Sequence, residues 1–361
     1  MTSTPEELAK GIKDAPEGSN EFPDVSEILF GCEEPPPFEE NNIFPIEWHS
    51  DTPKLMRVYD AARRPTWTPA DFDWDSLKAE DFSMDQRYAI SYWFALLSVF
   101  DSSAPAVFAR AMVHTYETHV EDPVRKCFFT IVRDEVHHEE VCQRVIQKLT
   151  PPGGFLDFKA ETDLGRLAQN NVHWYYHNGA RYWSGFKDSV HKHSLEILFT
   201  SFMMGEVAAG TLFQQMHQKT TIPVLKDAFA HVGQDEARHL RICLALLENL
   251  LPNITDEQRE TITKQVRAGF VFLSGILFEP PEQFWDLPKT WIPAHRILEQ
   301  QAREGGLGIL TLEERRENWR TALLRVKGLL EPHGIEFPAI PEVGIDGKTV
   351  AFDPNDIVPV F

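Results

Sequence analysis

Residues 134–139 read Asp-Glu-Val-His-His-Glu, and residues 235–240 read Asp-Glu-Ala-Arg-His-Leu. Each stretch holds the pattern D-E-x-x-H: Asp134, Glu135 and His138 in the first, Asp235, Glu236 and His239 in the second. On a helix, positions i and i+3 project from one face, so each copy sets a carboxylate beside an imidazole. Glu206 lies upstream of the second copy and completes the pattern Glu-x28-Asp-Glu-x-x-His. A four-helix bundle holds two metal ions with one carboxylate from each of two helices and a Glu-x-x-His from each of the other two.

The two copies belong to a longer repeat. Cys142 and Cys243 each follow the motif histidine by four residues, and Pro123 and Pro223 precede the motif glutamates by 12 and 13. Asp101-Ser-Ser-Ala-Pro-Ala-Val-Phe108 aligns with Glu206-Val-Ala-Ala-Gly-Thr-Leu-Phe213, a carboxylate seven residues before a Phe in both. Each half therefore reads as a helix with a carboxylate, a turn, and a helix with E-x-x-H. With a turn near 219–221, Glu206 and Glu236 are level, because both climb about 1.5 Å per residue. Asp101 lies further from its turn than Glu135 does. It is expected to be the remaining ligand, against a competing reading as a helix N-cap, since Asp-Ser-Ser-Ala-Pro resembles a helix start.

The expected metal ligands are Asp101, Glu135, His138, Glu206, Glu236 and His239. Among them Glu135, Glu206 and Glu236 are expected to take part in catalysis, with Glu135 and Glu236 as bridges. Four carboxylates and two imidazoles form a hard donor set that suits iron or manganese. Asp134 and Asp235 are placed to accept N–H bonds from ligand histidines of the partner helix, which fixes the imidazole tautomer. His137 points away from this face. Phe199, Phe202 and Met203 lie one to two turns before Glu206, where they either line a substrate pocket or pack the bundle.

Composition narrows the setting. The 361 residues are 42% hydrophobic and carry a formal charge of −20, which disfavours nucleic acid or an anionic membrane as partner. Four cysteines at irregular spacing, with no C-x-x-C, suggest a reducing compartment. No signal-peptide pattern is visible, and the longest near-continuous apolar run, about 268–278, is too short to span a bilayer. The expected location is the cytoplasm.

The pattern along the chain is mostly helical. Helices are expected from Met84 to about His119, interrupted or kinked at Pro105, and from about Glu121 to Leu149, before Pro151-Pro-Gly-Gly. Others fit about Ser189–Gln218, Pro223–Leu251, Asp256–Leu277, Pro293–Glu304 and Leu312–Leu330. The expected organisation is an N-terminal arm over 1–83, a dimetal bundle over 84–280, and C-terminal helices with a Pro-rich tail over 281–361.

At these residues the chain resembles the ferritin-like non-haem diiron oxygenases and oxidases. Within them it is most similar to the arylamine N-oxygenase family, through Glu206-x28-Asp235-Glu236-x-x-His239 and the segment Glu121-Asp-Pro-Val-Arg-Lys to Asp134-Glu-Val-His-His. The resemblance covers roughly residues 84–250. It implies an all-α ferritin-like four-helix bundle with two Fe ions, or Mn/Fe, that activates O₂ through a peroxo species. N-oxygenation or C–H hydroxylation of a small organic substrate follows, with electrons from a separate reductase or ferredoxin. A homodimer is compatible with this reading. Two departures stand out. The first-helix ligand is Asp101 where the family has Glu. The position of the family's extra histidine ligand holds Val232, with His231 one residue off, about 100° around the helix.

Three alternatives share parts of the pattern. An Asp as first ligand is similar to the ribonucleotide reductase small subunit, although Cys142 stands where that family usually has its radical tyrosine. Fatty-acyl desaturases share D-E-x-R-H, seen here as Asp235-Glu-Ala-Arg-His239. A non-enzymatic bundle would store iron.

Overall fold

The computed structural model describes residues 53–63, 67–117, 122–151, 155–157, 159–186, 195–277, 279 and 286–350. Residues 1–52 of the expected N-terminal arm and residues 351–361 of the expected tail lie outside the described residues. The observed helices are α1 Pro53–Arg63, α2 Met84–Glu117, α3 Asp122–Leu149, α4 Asp163–Phe186, α5 Leu195–Lys219, α6 Pro223–Leu250, α7 Asp256–Leu277, α8 Trp291–Glu304 and α9 Leu312–Leu330. Extended pairing among the described residues is confined to the isolated bridges Pro338–Lys348 and Ile340–Ile345. The fold class is all-α: a four-helix bundle with flanking helices.

The bundle consists of two hairpins, α2–α3 and α5–α6, whose paired helices make the most extensive contacts among the described helices. Aromatic rings tie one hairpin to the other. Phe108 of α2 meets Phe202 of α5 with centroids 4.7 Å apart, and Phe94 of α2 stacks on Phe229 of α6 at 6.1 Å. The outer helices close the flanks: α4 and α8 on α2, α7 on α5, and α1 across α3 and α6.

Two local features depart from the sequence reading. The helix over 84–117 is continuous and carries Pro105 inside it. Pro105 has no N–H to donate to the carbonyl of Asp101, so the helical ladder lacks a bond at the candidate ligand. The aromatic-rich residues from His173 to Phe186 belong to one helix, α4, to which the sequence reading assigns no element. Tyr175 is buried and stacks on Trp291 at 6.0 Å.

The apolar part of α2, Met84–Tyr116, is long and hydrophobic enough to cross a bilayer by length and composition. Here it is a bundle helix that carries Asp101 and is packed by α3, α4 and α8.

The α5–α6 turn sets the level of Glu206 against Glu236, and it is fastened from outside. Thr221 N–H and Thr220 Oγ1 both donate to the carbonyl of Gly306, each at 2.9 Å. Gly308, with φ of 84°, approaches so closely that a Cβ would stand 2.5 Å from the Thr220 nitrogen. Only glycine fits there, in conformation and in space.

A buried ion pair joins α8 to α9. Arg315 Nη2 donates to Glu299 Oε2 at 2.6 Å, and His295 lies 3.1 Å from the same carboxylate. Burial alone would raise the Glu299 carboxyl, but His295 and Arg315 overcome it and hold it down to about 2, from 4.5. A folded-state value below the unfolded one means the contribution is complete above pH 4.5 and is lost as pH falls towards 2. Glu299→Gln leaves Arg315 buried without a counter-charge and is expected to cost about 3–5 kcal/mol in urea unfolding at pH 7. The gap between variant and wild type is expected to shrink on acidification, and a gap independent of pH would contradict this account.

Candidate metal centre

Four bundle helices each deliver part of one buried cluster. Glu135 and His138 come from α3, Glu236 and His239 from α6, Glu206 from α5 and Asp101 from α2, and all six are buried. Glu135, Glu206, Glu236 and His239 each place a donor atom within 4.8 Å of the others.

The distances show how the carboxylates are shared. His138 Nδ1 lies 3.5 Å from Glu135 Oε2 and 3.3 Å from Glu236 Oε1. His239 Nδ1 lies 3.3 Å from Glu135 Oε1 and 3.6 Å from Glu236 Oε2. Each of these glutamates thus turns one oxygen to one imidazole and its other oxygen to the second. Glu206 Oε2 faces only His239 Nδ1 among these contacts, at 3.2 Å. Asp101 shares a cavity wall with Glu135, Glu206 and Glu236, and it accepts a bond from the Cys142 thiol at 3.0 Å.

Behind the cluster, the outer nitrogens of the histidines meet aspartates of the opposite helix. His138 Nε2 is 3.4 Å from Asp235 Oδ2, and His239 Nε2 is 3.3 Å from Asp134 Oδ2. Arg238 spans both aspartates, 2.5 Å from Asp134 and 2.6 Å from Asp235. Arg133 adds a bond to Asp134 at 2.6 Å. Trp67, from the segment before α2, donates its indole N–H to Asp235 at 2.8 Å and stacks over the His138 ring at 6.1 Å. Burial opposes ionisation of Asp134, yet the bond from His239 and the charges of His239 and Arg238 hold its carboxyl well below the usual range. Asp235 is lowered in the same way by His138.

The inner carboxylates divide. Burial pushes Asp101 up to about 7, with Glu135 and Glu236 adding to the rise. Burial also raises Glu206 well above the ordinary value, while the two histidines hold Glu236 below it despite its burial. Such crowding of like charges in a low-dielectric interior calls for cations. His138 Nδ1 is buried without a hydrogen-bond partner, although carboxylate oxygens flank it. Two imidazoles with orphaned or carboxylate-facing Nδ1 atoms, Nε2 atoms held by aspartates, and four hard carboxylates fit two iron or manganese ions. His138, Glu135, Glu236 and Asp101 would hold one ion, and His239, Glu135, Glu236 and Glu206 the other.

A cavity of about 560 Å³ opens on this floor. Its walls include Phe100, Phe108, Phe202, Phe213 and Phe272, with Asp101, Glu135, Glu206 and Glu236 at the polar end. Ser98 and Tyr176 add a hydroxyl pair, 2.7 Å apart. Met203 is buried but does not line the cavity, and the Phe199 side chain lies outside the described residues.

His231 faces away from the ions' expected place. Its Nδ1 is 2.8 Å from the Asp227 carbonyl, and its ring packs on Trp67 at 5.7 Å and Phe72 at 5.3 Å. Val232 is core. His137 likewise packs on Trp67, at 5.4 Å. Sequence reasoning missed Trp67, Tyr176 and Phe272. No local pattern marks them, since each reaches the centre through the tertiary fold.

No family model matches the chain, and no curated protein matches it. Among solved structures it is similar to an R2-like ligand-binding oxidase, a point mutant with an aerobically reconstituted Mn/Fe cofactor. The two share 15% sequence identity with a TM-score of 0.45, over 79% of this chain and 95% of that one.

Loaded anaerobically with Fe(II) and desalted, the protein is expected to retain two ions per chain by elemental analysis. Glu236→Ala, which removes an oxygen from both positions, is expected to retain less than one. Full retention by that variant would overturn the assignment.

Proposed function

We propose that the chain is an O₂-activating dimetal oxidase that oxidises an apolar organic molecule held in the cavity. The observation that carries this reading is the cavity itself: an aromatic chamber whose polar end is formed by the candidate ligands. Iron storage is the weaker reading, because phenyl walls give a hydrated ion nothing to exchange its water for.

The bound ion pair would supply the reduction of O₂. The protein's own residues do the rest. Glu135 and Glu236 would offer oxygens to both positions, Glu206 to the one at His239, and Asp101, on the same cavity floor, to the one at His138. Asp134 and Asp235 hold the Nε2 protons of His239 and His138, so that each Nδ1 is free to bind. The phenylalanines orient an apolar substrate and exclude water from the carboxylate floor. Electrons would come from a separate donor protein.

The ligand inventory favours an R2-like frame over an arylamine N-oxygenase. One histidine per ion, an aspartate in the first helix, and Val232 in place of a further histidine support that choice. A specific contact favours a second reading, one-electron chemistry of the small-subunit kind. Trp67 is bonded through Asp235 to His138, which links a redox-capable indole to the centre.

Stopped-flow mixing of the anaerobic Fe(II) protein with O₂ separates these readings. The oxidase reading expects a transient charge-transfer absorbance that decays faster when substrate is present. A stable tyrosyl or indole radical by EPR would select the second reading, and continued uptake of many irons per chain would select storage.

The chamber can be tested independently of O₂ chemistry. A Cβ at Gly205 meets nothing within 4 Å, so the position borders open space. Gly205→Leu is expected to retain two ions while losing binding of a neutral aromatic probe such as naphthalene. Unchanged probe binding would remove the cavity as the substrate chamber.

A further inference from the structure

We infer that Cys142 is a positioning residue that holds Asp101 for the metal at His138, and that the two metal positions therefore fill unequally. The inference rests on the dimetal reading above and extends it to the stepwise assembly of the centre.

The two halves repeat each other closely, so their differences are informative. Each half has a cysteine four residues after its motif histidine, on the same helix. In the first half the Cys142 thiol donates to Asp101 Oδ2 at 3.0 Å, a short contact for sulfur. Among the described residues, no equivalent bond joins Cys243 to Glu206. Glu206 instead reaches the His239 Nδ1 directly, at 3.2 Å.

Chain length explains the difference. Aspartate is one methylene shorter than glutamate, so Asp101 cannot reach as far into the bundle as Glu206. It also sits four residues before Pro105, where the helix lacks a backbone bond to its carbonyl. A short carboxylate on a loosened turn, facing an apolar chamber, needs another contact to fix its direction. Cys142 supplies that contact through one oxygen and leaves the other oxygen of Asp101 for an ion.

The convergence of donors matches this asymmetry. Both imidazoles reach Glu135 and Glu236 at 3.3–3.6 Å, but Glu206 also closes on His239 at 3.2 Å, whereas among the described contacts Asp101 has no such approach to His138. The Glu206–His239 position is the more preformed of the two and takes the first ion. The Asp101–His138 position takes the second, and its affinity depends on the Cys142 bond. Removing the hydrogen-bond partner of a metal ligand commonly costs about 10–100-fold in affinity.

The test is anaerobic titration of the full chain with Co(II), followed by absorption and elemental analysis. Wild type is expected to bind in two resolved steps. Cys142→Ala is expected to weaken the second step at least about tenfold and leave the first unchanged. Cys142→Ser keeps a donor and is expected to bind the second ion close to wild type. Cys243→Ala, which removes the thiol lacking such a bond, is expected to change neither step. Equal second steps in wild type and Cys142→Ala would overturn the inference while leaving the dimetal reading intact. A sulfur-to-cobalt charge-transfer band lost in Cys142→Ala would also overturn it, by making the thiol a ligand. A wild-type chain that binds no Co(II) would overturn the dimetal reading itself, and this inference with it.

Discussion

Four carboxylates buried around two imidazoles are the constraint on which the rest of the structure depends. Asp101, Glu135, Glu206 and Glu236 are all withdrawn from water in one core. Their full ionisation without cations would cost many kcal/mol, because charge in a low-dielectric interior is stabilised only by nearby opposite charge. Two divalent ions offset four carboxylate charges. Without ions, protons must do so, which is why Asp101 and Glu206 are raised while Glu236, between both histidines, is held down. The second ring of charge has its own solution. Asp134 and Asp235 stay ionised because Arg238 spans them and the imidazoles face them.

The surrounding architecture keeps this arrangement rigid. Each helix hairpin must hold its ligands level to within a fraction of a turn, and the helices are anchored well away from the centre to do so. The α5–α6 turn is fastened to Gly306 beyond α8, and α8 is tied to α9 by Glu299 and Arg315. On the other side, α1 and Trp67 close over α3 and α6, behind the histidines. The flanking helices thus fix the ends and backs of the bundle, and α4 and α7 also wall the chamber through Tyr176 and Phe272.

The helical architecture was legible because it is written in local periodicity. The bounds of α3, α6, α7 and α9 lie within a residue or so of the apolar pattern and its Pro and Gly stops. The convergence of Glu135, Glu206, Glu236 and His239 was legible for the same reason: a spacing of three on a helix is a statement about direction. Pro105 misled in part. A proline in a helix interior usually breaks or kinks it, but packing by three helices on α2 offsets one missing bond. The helix α4 was hidden because its aromatic residues face both core and rim and blur the apolar stripe. Trp67 was invisible, since it lies 168 residues from Asp235 on the chain and no local pattern marks a contact between them.

The departure at Val232 and His231 shows why spacing must be read as geometry. A histidine one position off the expected register is close in sequence, yet it is rotated by about 100°. His231 has consequently joined a different structure, an aromatic cluster with Trp67 and Phe72 on the outer face of α6. There it packs against the same indole that donates to Asp235. A residue that could have enlarged the donor set instead helps hold the aspartate that orients His138. The proposed centre would be left with one nitrogen per ion, and the asymmetry between its halves would then fall to the carboxylates: Glu206 on one side, and Asp101 with its thiol partner on the other.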